Sequence, residues 1–376
     1  NSITCAVAAE GGQLDTLTWL RAHKPACPWN SEVTEFAAYG GHFEMLKWAV
    51  ENGCKLSPKV CEGAAASGNF DMLKWARSLS PPCPWKLTCE NAAEHGHLDI
   101  IKWAKENGCK WTSEVCMNAA IGGHFELLKW AYQNKCKLDR ETICSCAASR
   151  GHFDIVFWAH SQKCKLDVSI CMNAASYGNL AALKHARMLG CPWNSTTCYY
   201  AALKGHFDIL KWARTEGCDW DTSVCGAAAS HGHLDILKWL RAQTPPCPLD
   251  PNTCAANAAQ HGHLDVIKWV RAHAPPSSWD LTLGGTTVCE RAARGKHWNI
   301  VKWAHQNGYE LNDRVCEAAA IQGNLEMLKW LRSQNPPCPW TKAVCTQAAL
   351  YNRLDTLKWA RQNGCDWDEI VCESAV

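Results

Sequence analysis

The chain has 376 residues, and 38 Lys and Arg against 36 Asp and Glu give a formal net charge of +2. This balance lacks the basic excess expected of a nucleic-acid-binding protein, and 47% hydrophobic residues argue against disorder. No run of 18 apolar residues is present, so we expect no transmembrane helix, and the residues that follow Asn1 predict no signal peptide.

A short motif that ends in Lys-Trp recurs from one end of the chain to the other. Its Trp position is filled at thirteen places, most often 27 residues apart: Trp19, Trp48, Trp75, Trp103, Trp130, Trp158, His185, Trp212, Trp239, Trp269, Trp303, Trp330 and Trp359. Self-similarity at such a period is typical of a repeat protein. The sequence therefore predicts one repeat domain over residues 1–376.

Each repeat is predicted to contain two helices. Val115 and Ala119, like Cys116 and Ala120, lie four residues apart on one helix face. Gly123 then suits a left-handed helix end. The second helix begins with an acidic residue and ends at Gly or Pro-Pro. Such a pair cannot bury its apolar surface alone, so we expect the repeats to stack.

These residues resemble ankyrin repeats. Residues 119–126 are similar to the family's Ala-Ala-x-x-Gly-His-x-Glu, and the likeness extends over all thirteen repeats, although the period is 27 residues instead of 33. The resemblance is to a short, Cys-Pro-Trp-rich variant found in protists and large DNA viruses. It implies an all-α ankyrin-like solenoid of stacked helix-turn-helix repeats with short loops, little or no β-hairpin, and a role in protein–protein interaction without catalysis.

The 25 cysteines occupy two positions of the repeat, one in the loop and one at the start of the first helix, with Cys146 as the extra. Disulfides or metal sites are alternatives, but no Cys-x-x-Cys pair is present. Thr34 replaces the helix cysteine, and Ser277 and Tyr309 replace the loop cysteine. We predict buried core thiols in an intracellular, cytoplasmic protein.

The tryptophans of the Lys-Trp motif are interpreted as core residues, each worth about 3–5 kcal/mol on truncation to Ala. Eight loop tryptophans, such as Trp111, share their position with leucines, which favours packing between loops. A histidine, such as His124, precedes the second helix, and Asn replaces it elsewhere, so we predict a capping residue.

The binding surface should vary between repeats, and the variable positions of the first helices meet that condition. The candidate partner-binding residues are Met172, Tyr177, Tyr199, Tyr200, Leu203, Lys204, Arg291 and Arg294. The last two follow the longest loop, residues 275–287, for which there are two interpretations: a basic patch for an acidic peptide, or an exposed, solvated insertion. If replacing Tyr199 and Tyr200 by Ala leaves the affinity for the partner unchanged, the prediction that these tyrosines bind it is wrong.

No nucleotide-binding, metalloprotease or nucleophile motif is present, so we predict no enzyme, cofactor or metal. The predicted function is a scaffold for a protein partner, with no nucleic acid, membrane or small-molecule substrate. One alternative is the recognition arm of a larger assembly, such as a ubiquitin-ligase adaptor; another is a thiol-rich metal-binding or redox protein. Uncapped apolar ends suggest a piece of a longer chain.

Overall fold

A computed structural model describes residues 2–273 and 288–366. These residues form 26 α-helices, two for each repeat, and contain no strand. The predicted all-α, solenoid-like arrangement of helix-turn-helix repeats is therefore confirmed. Ser277, Trp279, the loop 275–287, Trp367 and the predicted half-repeat at 371–376 lie outside the described residues.

The first helices are seven to eleven residues long. They are α1 (Ser2–Glu10), α3 (Glu32–Tyr39), α5 (Val60–Ala66), α7 (Thr88–Glu94), α9 (Ser113–Gly122), α11 (Ile143–Ser149), α13 (Val168–Ser176), α15 (Ser195–Lys204), α17 (Thr222–Ser230), α19 (Pro251–His261), α21 (Val288–Arg294), α23 (Asp313–Gln322) and α25 (Ala343–Leu350).

The second helices carry the Lys-Trp motif. They are α2 (Leu14–Ala22), α4 (Phe43–Glu51), α6 (Phe70–Ser78), α8 (Leu98–Glu106), α10 (Phe125–Gln133), α12 (Phe153–Ser161), α14 (Leu180–Met188), α16 (Phe207–Thr215), α18 (Leu234–Arg241), α20 (Leu264–His273), α22 (Trp298–Gln306), α24 (Leu325–Arg332) and α26 (Leu354–Gln362).

The chain divides into two compact bodies. The N-terminal body comprises Asn1–Ala174 and Ala181–Pro192, and the C-terminal body comprises Ala175–Leu180 and Trp193–Val376. In each body, first helices pack side by side, as α7 does with α9 and α15 with α17. Each of these also contacts the second helix of its own repeat. One domain over the whole chain stays a prediction.

Small side chains let the first helices approach closely. In α9, Val115, Cys116, Ala119 and Ala120 are fully buried, on the face that the four-residue spacing predicted. The second helices add larger apolar groups to the same core, such as Ile100 and Ile101 of α8. The stacking of repeats therefore buries surface that a single helix pair would leave in water.

The turn between the helices favours glycine. Gly123 ends α9 in the left-handed region at φ 77°. A Cβ there would lie 2.4 Å from Cε1 of His152, a residue of the next repeat. Backbone conformation and the close approach of the imidazole both favour glycine at 123, although Lys296 and Asn352 adopt the left-handed conformation at the equivalent position of two later repeats.

The recurring histidine has a different role from the predicted one. His124 precedes α10 but makes no side-chain cap for it; its Nε2 donates to the carbonyl oxygen of Glu94, at the end of the preceding repeat's first helix, at 2.9 Å. His42 bonds the Glu10 carbonyl oxygen in the same way, at 3.0 Å. Where Asn replaces His, as at Asn69, the side chain does cap its own helix. The histidines thus join neighbouring repeats.

Candidate functional site: the aromatic–basic row of the second helices

The tryptophans of the Lys-Trp motif do not lie in the core, so that prediction is wrong. Trp19 is 60% exposed, and every other described tryptophan is partly exposed. Helix geometry explains the error, because Ile100, Ile101 and Ala104 are buried on one side of α8 while Trp103 lies about 100° around the helix from their centre. A helical-wheel drawing of the sequence would have given this signal.

These tryptophans form contacts from one repeat to the next. In the N-terminal body, the Trp103 ring meets Phe70 of the preceding second helix at 5.6 Å and the loop residue Trp85 at 5.7 Å, both edge to face. In the C-terminal body, Trp239 meets Phe207 at 5.6 Å and Trp220 at 6.1 Å in the same manner. Edge-to-face pairs of this kind are stabilising, yet they leave part of each ring in contact with water.

Basic side chains accompany the rings. Lys74 and Lys211 lie over Phe70 and Phe207, each with Nζ 3.9 Å from the ring centre. Arg214 lies over Trp220 at 4.1 Å. Such cation–π contacts hold the charge beside the ring while the polar end stays near solvent. We call this set of second-helix and loop rings with their lysines and arginines the aromatic–basic row.

The acidic residue at the start of the second helix decides which lysines are paired. Glu44 and Glu126 reach the lysine three residues on, Lys47 and Lys129, at 2.6 Å. Repeats that have Asp instead, as before Lys74, show no such ion pair among the described residues. The shorter aspartate leaves the ammonium group available to another anion.

The row is interrupted in the seventh repeat. His185 replaces Trp and stacks on Phe157 at 4.1 Å, with an interplanar angle of 17°. Beside it, Met188 is 81% exposed. The N-terminal body therefore carries the row up to Trp158 of α12, and the C-terminal body carries it from Trp212 of α16.

The predicted partner-binding residues are divided between the two bodies. Met172 belongs to the N-terminal body and is partly exposed. Tyr177, in the C-terminal body, is 51% exposed. Helix α15 brings together the partly exposed Tyr199, Tyr200 and Leu203 and the exposed Lys204; the two tyrosine rings meet edge to face at 5.2 Å.

One of the two arginines predicted to form a basic patch, Arg294, is paired with a buried acid. Glu290 is fully buried, and its carboxylate lies 2.7 Å from Arg294 and 3.4 Å from Arg314. Arg291 is partly exposed and lies on the same helix, α21. Since Glu290 neutralises part of the local charge, this patch is less basic than the sequence suggested.

The described cysteines are thiols, and all of them except Cys27 and Cys146 are buried, as predicted for core thiols. Within 2–273 and 288–366, no three His, Cys, Asp or Glu side chains gather in a way that could hold a metal ion. None of the helices in those ranges has the length and apolar character needed to cross a bilayer.

No protein-family model matches the chain, and no curated protein matches it. Two crystal structures of the pentatricopeptide repeat protein PPR10 in complex with an 18-nt psaJ RNA element are similar to it, one of them with three cysteines changed to serine. Each has a TM-score of 0.44 and 11% identity, and the match covers 100% of this chain and 66% of PPR10. The chain thus spans just under two thirds of those proteins.

The comparison corrects two predictions. A scaffold for a protein partner, including the ubiquitin-ligase-adaptor alternative, was predicted, with nucleic acid excluded; the similar solved structures are RNA complexes. The exclusion depended on the net charge of +2. That sum averages over the whole chain and does not report which lysines lie beside exposed rings.

Proposed function

We propose that this chain is a non-catalytic repeat scaffold that binds single-stranded nucleic acid along the aromatic–basic row. The observation that carries the proposal is the recurrence, about every 27 residues, of a partly exposed tryptophan directly after a lysine. Proteins that bind single strands combine aromatic rings, on which bases stack, with cations along the backbone. The row supplies both from one set of helices.

The strongest sites should be the two ring triplets. Phe70, Trp85 and Trp103 form one in the N-terminal body, with Lys74 over Phe70. Phe207, Trp220 and Trp239 form the other in the C-terminal body. Each triplet offers partly exposed ring surface beside a lysine without a carboxylate partner among the described residues.

The near-neutral net charge has a measurable consequence. For a single strand, the slope of log affinity against log salt is about −0.7 for each neutralised phosphate. Because several lysines of the row are held by glutamates, we expect a shallow slope and an affinity that depends chiefly on stacking.

The first-helix residues form a second proposed contact surface in the C-terminal body. Tyr177 is half exposed, and on α15 the paired rings of Tyr199 and Tyr200 lie one turn before Lys204. This again combines aromatic rings with a cation. Replacing Tyr199 and Tyr200 by Ala should weaken binding less than loss of a triplet.

We also propose that the repeat is a shortened ankyrin-type unit. The Ala-Ala pair buried in each first helix, the left-handed glycine and the histidine after it support this assignment. An experimental structure whose repeats superpose on ankyrin repeats over both helices would test it. Superposition only on other helical repeats would refute it.

Binding is tested by fluorescence anisotropy of labelled 18-nt RNA, with single-stranded and double-stranded DNA of the same sequence as comparison probes. The variant Trp103→Ala/Trp239→Ala removes the central ring of both triplets; since stacking is worth about 1–3 kcal/mol per base, its affinity should fall at least tenfold. Trp103→Phe/Trp239→Phe keeps a ring and should lose less.

Met188→Ala provides a matched control, because Met188 is the most exposed large apolar residue of the described part of the chain and lies outside the row. Its affinity should equal that of the wild type. A folded double-alanine variant with unchanged affinity would exclude the row as the site. Failure of the wild-type chain to bind any of the probes would refute the proposed function itself.

A further inference from the structure

The two cysteine positions of the repeat meet in space. The helix cysteine and the loop cysteine of one repeat are 20–22 residues apart, and their side chains are neighbours: the Cys89 and Cys109 sulfurs lie 2.6 Å apart, and those of Cys316 and Cys338 lie 3.3 Å apart. Cysteines that are closer in sequence, such as Cys109 and Cys116, are seven residues apart. Those belong to different repeats.

The same pairing recurs in most repeats. The further pairs are identified by a hydrogen bond from the helix thiol to the loop cysteine's carbonyl oxygen, or by an interaction between the two thiols. They are Cys5 with Cys27, Cys61 with Cys83, Cys116 with Cys136, Cys144 with Cys164, Cys171 with Cys191, Cys198 with Cys218, Cys225 with Cys247 and Cys345 with Cys365.

Within a pair the two thiols differ in environment. The pKa of Cys83 is lowered to about 7, because the thiol of Cys61 and then its backbone N–H stabilise the Cys83 thiolate, against burial that raises it. The pKa of Cys61 is raised, chiefly because its thiol donates that hydrogen bond. In the Cys89–Cys109 pair the loop thiol is also the more accessible one, since Cys109 is 5% exposed and Cys89 is fully buried; in the C-terminal body Cys218 and Cys247 are fully buried, as their partners are.

We propose that each repeat with both cysteines is an oxidation site, at which a low-molecular-weight disulfide converts the thiol pair into a disulfide within the repeat. The geometry points to the loop cysteine as the attacking thiol and the helix cysteine as the resolving thiol, with the order reversed for Cys171 and Cys191, where the loop thiol donates to the helix thiol. This is a modification of the scaffold and is independent of nucleic-acid binding.

The exchange balances without any group held by the protein. The loop thiolate attacks one sulfur of the small disulfide and releases one small thiolate, which leaves a mixed disulfide. The helix cysteine, after losing its proton to solvent, attacks the loop sulfur and releases the second small thiolate. The repeat loses two hydrogens, and the oxidant is reduced to two thiols.

Oxidation would exchange one kind of contact for another. At present the loop thiol donates to a carbonyl oxygen of the preceding loop, as Cys136 does to Thr112 at 3.3 Å and Cys338 to Asn312 at 3.3 Å. A disulfide removes this donor between repeats and adds a covalent link within one repeat. We therefore expect a higher thermal midpoint for the oxidised chain, since the link restricts the unfolded state.

The chain contains its own controls. Thr34 takes the place of the helix cysteine opposite Cys54, and Tyr309 takes the place of the loop cysteine opposite Cys289. Thr34 and Cys54 are both buried, as the paired cysteines are. Cys54 and Cys289 therefore share the environment of the pairs but lack a partner sulfur at the equivalent position.

The test treats the reduced native chain with glutathione disulfide near neutral pH, alkylates the remaining thiols, and maps the peptides without reduction. We expect peptides that join Cys61 to Cys83, Cys89 to Cys109 and Cys316 to Cys338, each lighter by two hydrogens, and alkylated Cys54 and Cys289. Thr34→Cys should create a new link to Cys54.

Cys109→Ser removes one loop cysteine and serves as the matched variant. Cys89 should then be alkylated, while the link between Cys61 and Cys83 still forms. The circular dichroism of the helices should not change. Stable mixed disulfides with glutathione, links as frequent at Cys54 as at the pairs, or links formed only in denaturant would each overturn the proposal.

Discussion

Helix α8 contributes to two regions of the molecule with different surroundings, the buried core and the aromatic–basic row. Ile100 and Ile101 are fully buried in the seam between stacked helices, while Lys102 and Trp103 lie beside them in the aromatic–basic row, exposed or partly exposed. Both regions recur with the same period. Regular recurrence in the sequence therefore marks a position as repeated, but it does not mark the position as buried.

The largest effect should come from the seam. Ile101→Ala removes a fully buried side chain that neighbours cannot replace, and it should lower the free energy of unfolding by about 2–5 kcal/mol. Denaturant titration measures the loss. If Ile101→Ala lowers the free energy of unfolding by less than Trp103→Ala does, the assignment of the two regions is wrong.

Truncation in the row should cost less stability. Trp103→Ala removes two edge-to-face contacts from a partly exposed ring, so we expect roughly 1–2 kcal/mol, below the 3–5 kcal/mol predicted for a core tryptophan. The same titration checks it. A loss of about 3–5 kcal/mol would indicate that Trp103 is a core residue and would argue against a binding surface at this position.

The histidine contact between repeats should have a smaller effect. His124→Ala removes the donor to the Glu94 carbonyl oxygen and should lower the free energy of unfolding by about 0.5–1.5 kcal/mol, as measured by denaturant titration. His124→Asn is the matched control, because Asn69 in the equivalent position donates to the Gly41 carbonyl at 3.2 Å. Equal losses for both variants would show that ring packing, not the hydrogen bond, matters.

The smallest effect concerns pH. Burial raises the pKa of Glu90 above 4.5, and its Oε2 is buried without a hydrogen-bond partner among the described residues. The stability that goes with its neutral form is present below about pH 4.5 and is lost as the pH rises through the folded-state pKa.

The Glu90→Gln variant should therefore be more stable than the wild type at neutral pH, and its thermal midpoint should depend less on pH. Glu62, whose pKa is also raised by burial, leaves a residual slope in both proteins. A thermal midpoint that rises between pH 4.5 and neutrality in the wild type, and does not rise in Glu90→Gln, would contradict the raised pKa of Glu90.

The sequence predicted the fold well because its signals are local. The Val115–Ala119 spacing, the glycine at 123 and the Pro-Pro stops fix helix faces and ends within a few residues. The proposed binding surface was missed because it depends on contacts between repeats. Nothing adjacent to Trp103 in sequence shows that Phe70 and Trp85 lie against it, or that His124 reaches back to Glu94.

The histidine contact also bears on how such a chain can change in length. Each imidazole lies against a glycine and bonds a main-chain carbonyl of the preceding copy, as His152 lies against Gly123 and His124 bonds Glu94. Neither group depends on the identity of a neighbouring side chain. Excision or duplication of a whole 27-residue copy would therefore restore the same histidine–glycine junction, so unequal recombination in the coding sequence can lengthen or shorten the stack while this contact is kept.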